Sequence, residues 1–351
     1  MTLGYCLNVH PGETLDEVVA ALEGPVAKAR QLAGEIGVGI YLAASAVREV
    51  EASARAFTRL ERALDTAGVR AFTANAFPFG GFHAESVKTA VYRPTWEEPA
   101  RRDFTIAVAR VLARLLPRGG RGSLSTLPLG HRASGTNLSR AGALLGEVAV
   151  ALERISWEQE RELALAIEPE PFCVIERASE LVRFLEENVF AGEGRAVIAR
   201  ELPGLNAEAI ARRRIGACLD ACHHAVVFEE IEDALRLYDA AGVRIVKAQL
   251  SSALLVRDVE KLRPFAEPRY LHQTFWKRGA ELGRAEDIEP ALEAARGATE
   301  VRSHFHVPLA WAGDAEIGTT RPLLERALPA IARATTDLEV ETYTWSVLPE
   351  A

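Results

Sequence analysis

The stretch GACLDACHHAV, residues 216–226, sets two cysteines, one aspartate and two histidines inside seven positions. Two chemistries are open to such a set: thiolate work, structural or redox, and a carboxylate–imidazole pair that holds a divalent ion or its water. Cys218 and Cys222 form no CxxC pair and no second pair accompanies them, so the ligand set of a structural zinc site is missing. The thiols read as bystanders, which leaves Asp220 and His223. Elsewhere the residues with chemical potential are Glu168 in LALAIEPEP, Glu341 in LEVETYTW, His304 and His306 in HFH, and Lys247 with Gln249 in VRIVKAQL. Alternate residues of an extended chain share a face, so His304 and His306 have a common ligand geometry, with a merely hydrogen-bonded pair as the alternative. Asp220 taken alone reads as a helix N-cap. Lys247 suggests a Schiff base with a carbonyl substrate, against the simpler reading of an ion pair with an acidic strand end.

The elements that must position these groups alternate along the chain. Eight β-rich runs, LGYCLNV, VGIYLAA, VRAFTANAF, GSLSTLP, LALAIEP, IGACLD, VRIVKAQL and LEVETYTW, are separated by amphipathic helix patterns. One of these, TLDEVVAALEG, opens with Thr14 and Glu17 in capping-box spacing. Strand–helix alternation repeated eight times predicts a parallel sheet closed as a single (β/α)8 TIM barrel over residues 1–351. No GxGxxG follows the first strand, so dinucleotide binding has no support. The rhythm breaks at about 265–315, where RYLHQTFW and VRSHFHVPL flank an acidic helix pattern, and this predicts an insertion before the last helix and strand. Catalytic groups of a barrel sit at the C-terminal ends of its strands. By side-chain parity, Glu168 follows Ala164 and Ala166, and Asp220 follows Gly216 and Cys218, while Glu339, Glu341, Tyr343 and Trp345 share a face. Barrel closure is therefore expected to bring Glu168, Asp220 and Glu341 together. Three buried carboxylates without a counter-charge repel and desolvate at a cost of several kcal/mol, so a cation is their natural partner.

Composition narrows the partners. A net charge of −8 argues against a nucleic-acid substrate, because phosphate contacts normally need a basic face. No run approaches the length of a membrane span, the N-terminus lacks a signal-peptide pattern, and four scattered cysteines make no disulfide framework. A cytoplasmic protein is expected, acting on a small-molecule metabolite, with homo-oligomerisation open.

The order Glu–Asp–His–Glu on late strands resembles the xylose isomerase-like superfamily of TIM barrels. More narrowly, NVHPGE, FPFGGFH, VYRPTW, GSLSTLPLG, IEPEP, CLDACHHAV, HFHVPL and LEVETYTWSVLP together resemble the metabolite traffic protein EboE family, along nearly the whole chain. The resemblance implies a divalent metal at the barrel mouth (Zn, Mn, Mg and Co are not distinguished) held by Glu168, Asp220 and Glu341 with His223 as an accessory. Where sugar isomerases of the superfamily carry a histidine after the seventh strand, this chain has Gln249, so His304 or His306 substitutes or the ion is held more weakly. It also implies a role in metabolite traffic or export of secondary products. The expected chemistry is isomerisation or epimerisation of a sugar-like or polyol-like metabolite, with Glu168 and Glu341 as the proton-transferring pair. His10, Phe79, Lys247, His272, Tyr343 and Trp345 are the expected substrate contacts. Phosphoester hydrolysis and metabolite binding without turnover are the alternatives.

Overall fold

The computed structural model describes residues 2–349. Strands β1 (Thr2–Cys6), β2 (Gly37–Tyr41), β3 (Ala71–Asn75), β4 (Arg121–Thr126), β5 (Glu162–Ile167), β6 (Ile215–Asp220) and β7 (Ile245–Leu250) follow one another around a barrel. The chain then makes an excursion through β8 (Leu254–Val256), β9 (Thr274–Arg278), β10 (Glu281–Ala285), β11 (Glu300–Ser303) and β12 (Ile317–Thr319). Finally β13 (Asp337–Val340) pairs in parallel with both β7 and β1 and closes the ring. Each of the eight β-rich runs supplies one barrel strand. Helices wrap the outside, and the first opens with the expected capping box: the Thr14 hydroxyl accepts from the Glu17 amide, and the Glu17 carboxylate accepts from the Thr14 amide.

Two irregularities shape the interior. Between β2 and β3 the register passes from Val38–Ala71 to Gly39–Thr73, leaving Phe72 as an extra residue. Its ring fills the N-terminal end of the barrel, where a Cβ on Gly4 or on Gly37 would lie 2.6 Å from it. Between β6 and β7 the extra residue is Val246, which joins Ala164, Ala166 and Cys218 in a small apolar cluster inside the barrel. Cys218 is thus a packing residue. Gly39 is small for a related reason: a Cβ there would overlap the Glu339 carboxylate, 1.5 Å from its Oε1.

The excursion is wider than the pattern break at 265–315 indicated. Its strands form a five-stranded antiparallel sheet in the order β10-β9-β11-β8-β12. It packs its own apolar layer, including Leu254, Trp276, Val301 and Phe305. The last run of β residues also departs from expectation. The strand stops at Val340, and residues Tyr343–Val347 coil into a 3-10 turn, so the common face predicted through Trp345 ends at Glu341.

Candidate metal centre

Glu168 and Glu341 lie one residue beyond the ends of β5 and β13, and Asp220 is the last residue of β6. One carboxylate oxygen from each lies within 4.8 Å of the others, and all three residues are buried. Burial first, and then the charges of Glu341 and Asp220, push the Glu168 carboxyl well above its ordinary pKa. Burial and then Asp220 and Glu339 do the same to Glu341. The Asn8 amide donates to Glu341 Oε1.

The N-cap reading of Asp220 accounts for one of its two oxygens. Oδ1 accepts from the His223 amide at 2.8 Å, capping the short helix Ala221–Val226, and from the Ser251 hydroxyl at 2.9 Å. Oδ2 is buried and has no hydrogen-bond partner. An ionised oxygen without a donor in the interior is costly, and a cation between Asp220, Glu168 and Glu341 removes that cost.

A second group adjoins the first. The excursion sheet ends β11 at Ser303 and delivers His304 and His306 to the mouth, while Asp220 caps the helix that carries His223. The Nδ1 atoms of these rings face the Pro169 carbonyl (2.9 Å, His223), the Gln273 Oε1 (2.6 Å, His304) and the Glu341 carbonyl (3.3 Å, His306). All three partners are acceptors, so the tautomer with N–H at Nδ1 satisfies them and turns the Nε2 lone pairs inward. Yet the His304 Nε2 lies 3.0 Å from that of His223 and 3.1 Å from that of His306. A proton between them would need a charged ring, and burial holds His223 down to about 3, His306 to about 4 and His304 well below the ordinary value. Three lone pairs converging in this way repel unless a cation sits among them. Their spacing suits neighbouring ligands at about 2.0–2.1 Å from zinc, which are roughly 3.0–3.4 Å apart. The residues present therefore fit one divalent ion on the acids and another on the imidazoles. Asp220 belongs to both sets, since it also groups with His223 and His306. Cys222, read from sequence as a bystander, brings Sγ within 4.8 Å of His304 and His306.

Glu168, Glu341, His223 and His304 floor a pocket of about 530 Å³, with Asp220 and His306 packed outside its lining. Phe82, Tyr270 and Tyr343 wall it, their ring centroids 5.0–5.3 Å apart. The Tyr343 hydroxyl lies 3.3 Å from His304 Nε2. Two other lining residues escaped the sequence reading. Glu170 is buried in the pocket, accepts from the Tyr92 hydroxyl at 2.7 Å, and is raised by burial to about 8. Its spacing of two from Glu168 was the available signal. Asn8 shares its parity with Cys6 but sits in a 3-10 turn after β1.

Several expected contacts are placed elsewhere. Lys247 is fully buried inside the barrel below the mouth, 2.6 Å from Glu339 Oε2, so its ammonium is spoken for and does not reach the pocket. Phe79 packs edge-on against Phe104 outside the pocket, and Phe82 of the same loop takes the lining place. Trp345 is 61% exposed, because the chain has already turned out of the strand. His10 pairs with the Tyr5 hydroxyl at 2.7 Å, off the pocket lining. His272 is a strut: its Nδ1 meets the His304 carbonyl, its Nε2 meets Glu267, and its ring stacks on Phe305. Gln249 pairs in register with Asp220, and both polar atoms of its buried side chain lack partners.

No family model matches this sequence, and no curated protein matches it, so the EboE resemblance finds no support there. Among solved structures, the chain is similar to the IolI protein with a bound zinc atom, at 12% identity and TM-score 0.49, covering 98% of this chain and 89% of that one. It is similar to the probable 3-DHS dehydratase AsbF of Bacillus anthracis, at 9% identity and TM-score 0.47, covering 98% and 93%. A third likeness is to the 3-keto-D-glucoside 4-epimerase YcjR of E. coli, at 13% identity and TM-score 0.42, covering 84% and 97%. At these values the likenesses carry nothing about the chemistry of this chain, which rests on its own side chains.

Proposed function

We propose that this protein is a metal-dependent enzyme that moves a proton on a small, uncharged polyol-like or sugar-like metabolite, as an isomerase or epimerase. The observation that carries this reading is the buried meeting of Glu168, Asp220 and Glu341, with Asp220 Oδ2 left without a donor. A divalent ion held by these residues supplies Lewis acidity toward substrate oxygens. The chain's own contribution is acid–base. Glu168 and Glu341 come from different strands, so they can address a substrate carbon and its neighbour from different sides. One carboxylate takes the proton as the C–H bond breaks, and a proton is returned to the adjacent carbon or to the opposite face. Two carboxyl groups on separate strands are suited to that exchange as donor and acceptor. The aromatic wall of Phe82, Tyr270 and Tyr343 offers an apolar face for a ring or carbon chain, and excludes water from the exchange.

An uncharged substrate is favoured by the lining. Its described residues include one cation, Lys88, and the Lys88 ammonium is committed to Asp287 and to the carbonyls of Glu267 and Tyr270. The second reading, hydrolysis of a small phosphoester, is favoured by the three bare Nε2 atoms, which suit an additional ion.

Metal analysis of protein purified without chelator, followed by a screen of aldoses, ketoses and inositols for exchange of carbon-bound hydrogen with deuterated solvent, tests the proposal. Glu341→Gln is expected to keep the fold and to lower exchange by at least about 100-fold, the usual scale for a general acid or base. Exchange at the wild-type rate in that variant removes Glu341 from the proton path. One bound ion per chain fits isomerisation; two or more, with turnover of a phosphoester, fit hydrolysis.

A further inference from the structure

The opposite end of the barrel carries the other sign of charge. Five consecutive strands are each entered through an arginine: Arg70 before β3, Arg121 as the first residue of β4, Arg161 before β5, Arg214 before β6 and Arg244 before β7. A pocket of about 690 Å³ opens between the starts of β4, β5, β6, β7 and β13. Five guanidiniums line it, from Arg121, Arg213, Arg214, Arg244 and Arg333, against the carboxylates of Glu162 and Asp337. In a chain with a net charge of −8, such a gathering of cations runs against the average field of the molecule.

Local structure explains only part of it. Arg213, Arg214 and Arg333 stand in last helical turns, where the helix dipole favours a cation. Arg213 and Arg214 also share the buried Glu153 carboxylate, at 2.8 and 2.7 Å. Arg121 and Arg244 are strand-entry residues that make no ion pair among the described residues, and Arg333 makes none there either. Asp337, the nearest candidate to neutralise them, accepts from the Ser123 hydroxyl at 2.8 Å. The crowding is felt: partial burial, and next the charges of Arg121 and Arg214, lower the pKa of Arg244. The five guanidiniums outnumber the carboxylates of Glu153, Glu162 and Asp337, and the excess positive charge around one concavity is stabilised by an anion that reaches several of them.

We propose that this arginine-lined pocket at the N-terminal end of the barrel binds a small anion with two or more phosphate-type charges, at a site separate from the acidic mouth. Planar guanidinium forks recognise phosphoryl oxygens in pairs.

Inorganic pyrophosphate titrated calorimetrically into the full chain, at constant ionic strength, is the test. The wild-type protein is expected to bind it. The variant Arg121→Ala/Arg244→Ala is expected to bind at least about 10-fold more weakly, whereas Arg59→Ala, far from the pocket, leaves affinity unchanged. Should the double variant fail to fold, Arg333→Ala removes a single exposed fork and is expected to weaken binding several-fold. Glu341→Gln separates the two ends of the barrel: unchanged pyrophosphate affinity supports the proposal, while loss of binding in that variant puts the anion at the mouth and overturns it. Equal affinity in wild type and double variant overturns it as well. So does capture by phosphatidylserine-containing vesicles without any pyrophosphate binding, which would make the arginines a lipid-facing surface.

Discussion

Glu339 and Glu341 sit two residues apart on the same edge of the barrel, in interiors of opposite character. Around Glu339 the barrel supplies its own cation: Lys247 reaches across to within 2.6 Å, and Gly39 leaves room for the carboxylate. Burial alone would lower the Lys247 pKa, but the charge of Glu339 outweighs it and holds the ammonium above its ordinary value. One layer up, Glu341 faces Asp220 and Glu168, and the charge of Lys247 reaches Glu168 and Glu341 only as a minor influence against burial and mutual repulsion. The lower layer is an internally neutral plug, while the upper one has three acids and no ion pair of that closeness, so it is neutralised by protons or by a bound cation. Burial is similar in both, with Glu339 fully buried and Glu341 5% exposed, so the difference lies in the missing partner and not in solvent access.

The comparison breaks most sharply at Lys247. Replacing it with methionine of similar length turns the lower layer into a copy of the upper, an acid buried without a cation. Removing one partner of a buried pair costs about 3–5 kcal/mol, and urea unfolding of Lys247→Met is expected to show a loss on that scale. Adding Glu339→Gln should restore part of it, because the uncompensated charge goes with the carboxylate. A loss in Lys247→Met as small as a surface substitution would mean that the pair is not what holds the lower layer.

At the base of the barrel the balance is of a third kind, two arginines on the single carboxylate of Glu153. Burial raises this carboxyl, but hydrogen bonds from Arg214 and Arg213 outweigh it and hold its pKa below the ordinary 4.5. A carboxyl depressed by folding contributes stability that is present above pH 4.5 and is lost as pH falls through its lower folded value. Glu153→Gln is therefore expected to cost about 2 kcal/mol at neutral pH, the scale of hydrogen bonds to charged groups. The gap between variant and wild type should close as acid titrates the wild-type carboxylate. Urea midpoints measured from pH 7 down to pH 3 check the sign, and a gap that widens in acid would reverse it.

The barrel was legible because period-two parity and strand–helix alternation are local properties. Every strand run announced itself, and three of them ended in the acids that meet. Two kinds of information were not local. Bulges such as Phe72 and Val246 shift register by one residue, and no run of residues marks them in advance. The excursion sheet docks its histidines through pairings between residues far apart in sequence, so HFH could be read as a ligand pair but not placed against His223. Trp345 was misplaced because LEVETYTW has strand composition past the point where the chain leaves the ring: Asp337–Val340 pairs, and the residues after it have no neighbour on both sides. Lys247 shows the limit of parity, which gave its inward direction but not its depth.

Gln249 offers the finest adjustment of the upper layer. It lies opposite Asp220 on one side and Glu339 on the other, at the boundary between the two layers, with both polar side-chain atoms unpartnered. An amide oxygen is a weak donor to a borderline ion, and a neutral imidazole is a better one. Gln249→His is expected to tighten zinc binding about 10-fold, or about 1.4 kcal/mol, in competition with a chelating dye. The pairing partner decides what the outcome means. If affinity rises, position 249 addresses the acids, and the wild-type glutamine keeps the ion loosely held. If affinity is unchanged while His306→Ala abolishes binding, the imidazoles alone hold zinc, and the acids keep their protons as burial dictates. The upper layer would then resemble the lower one after all, neutral by protonation where the other is neutral by pairing.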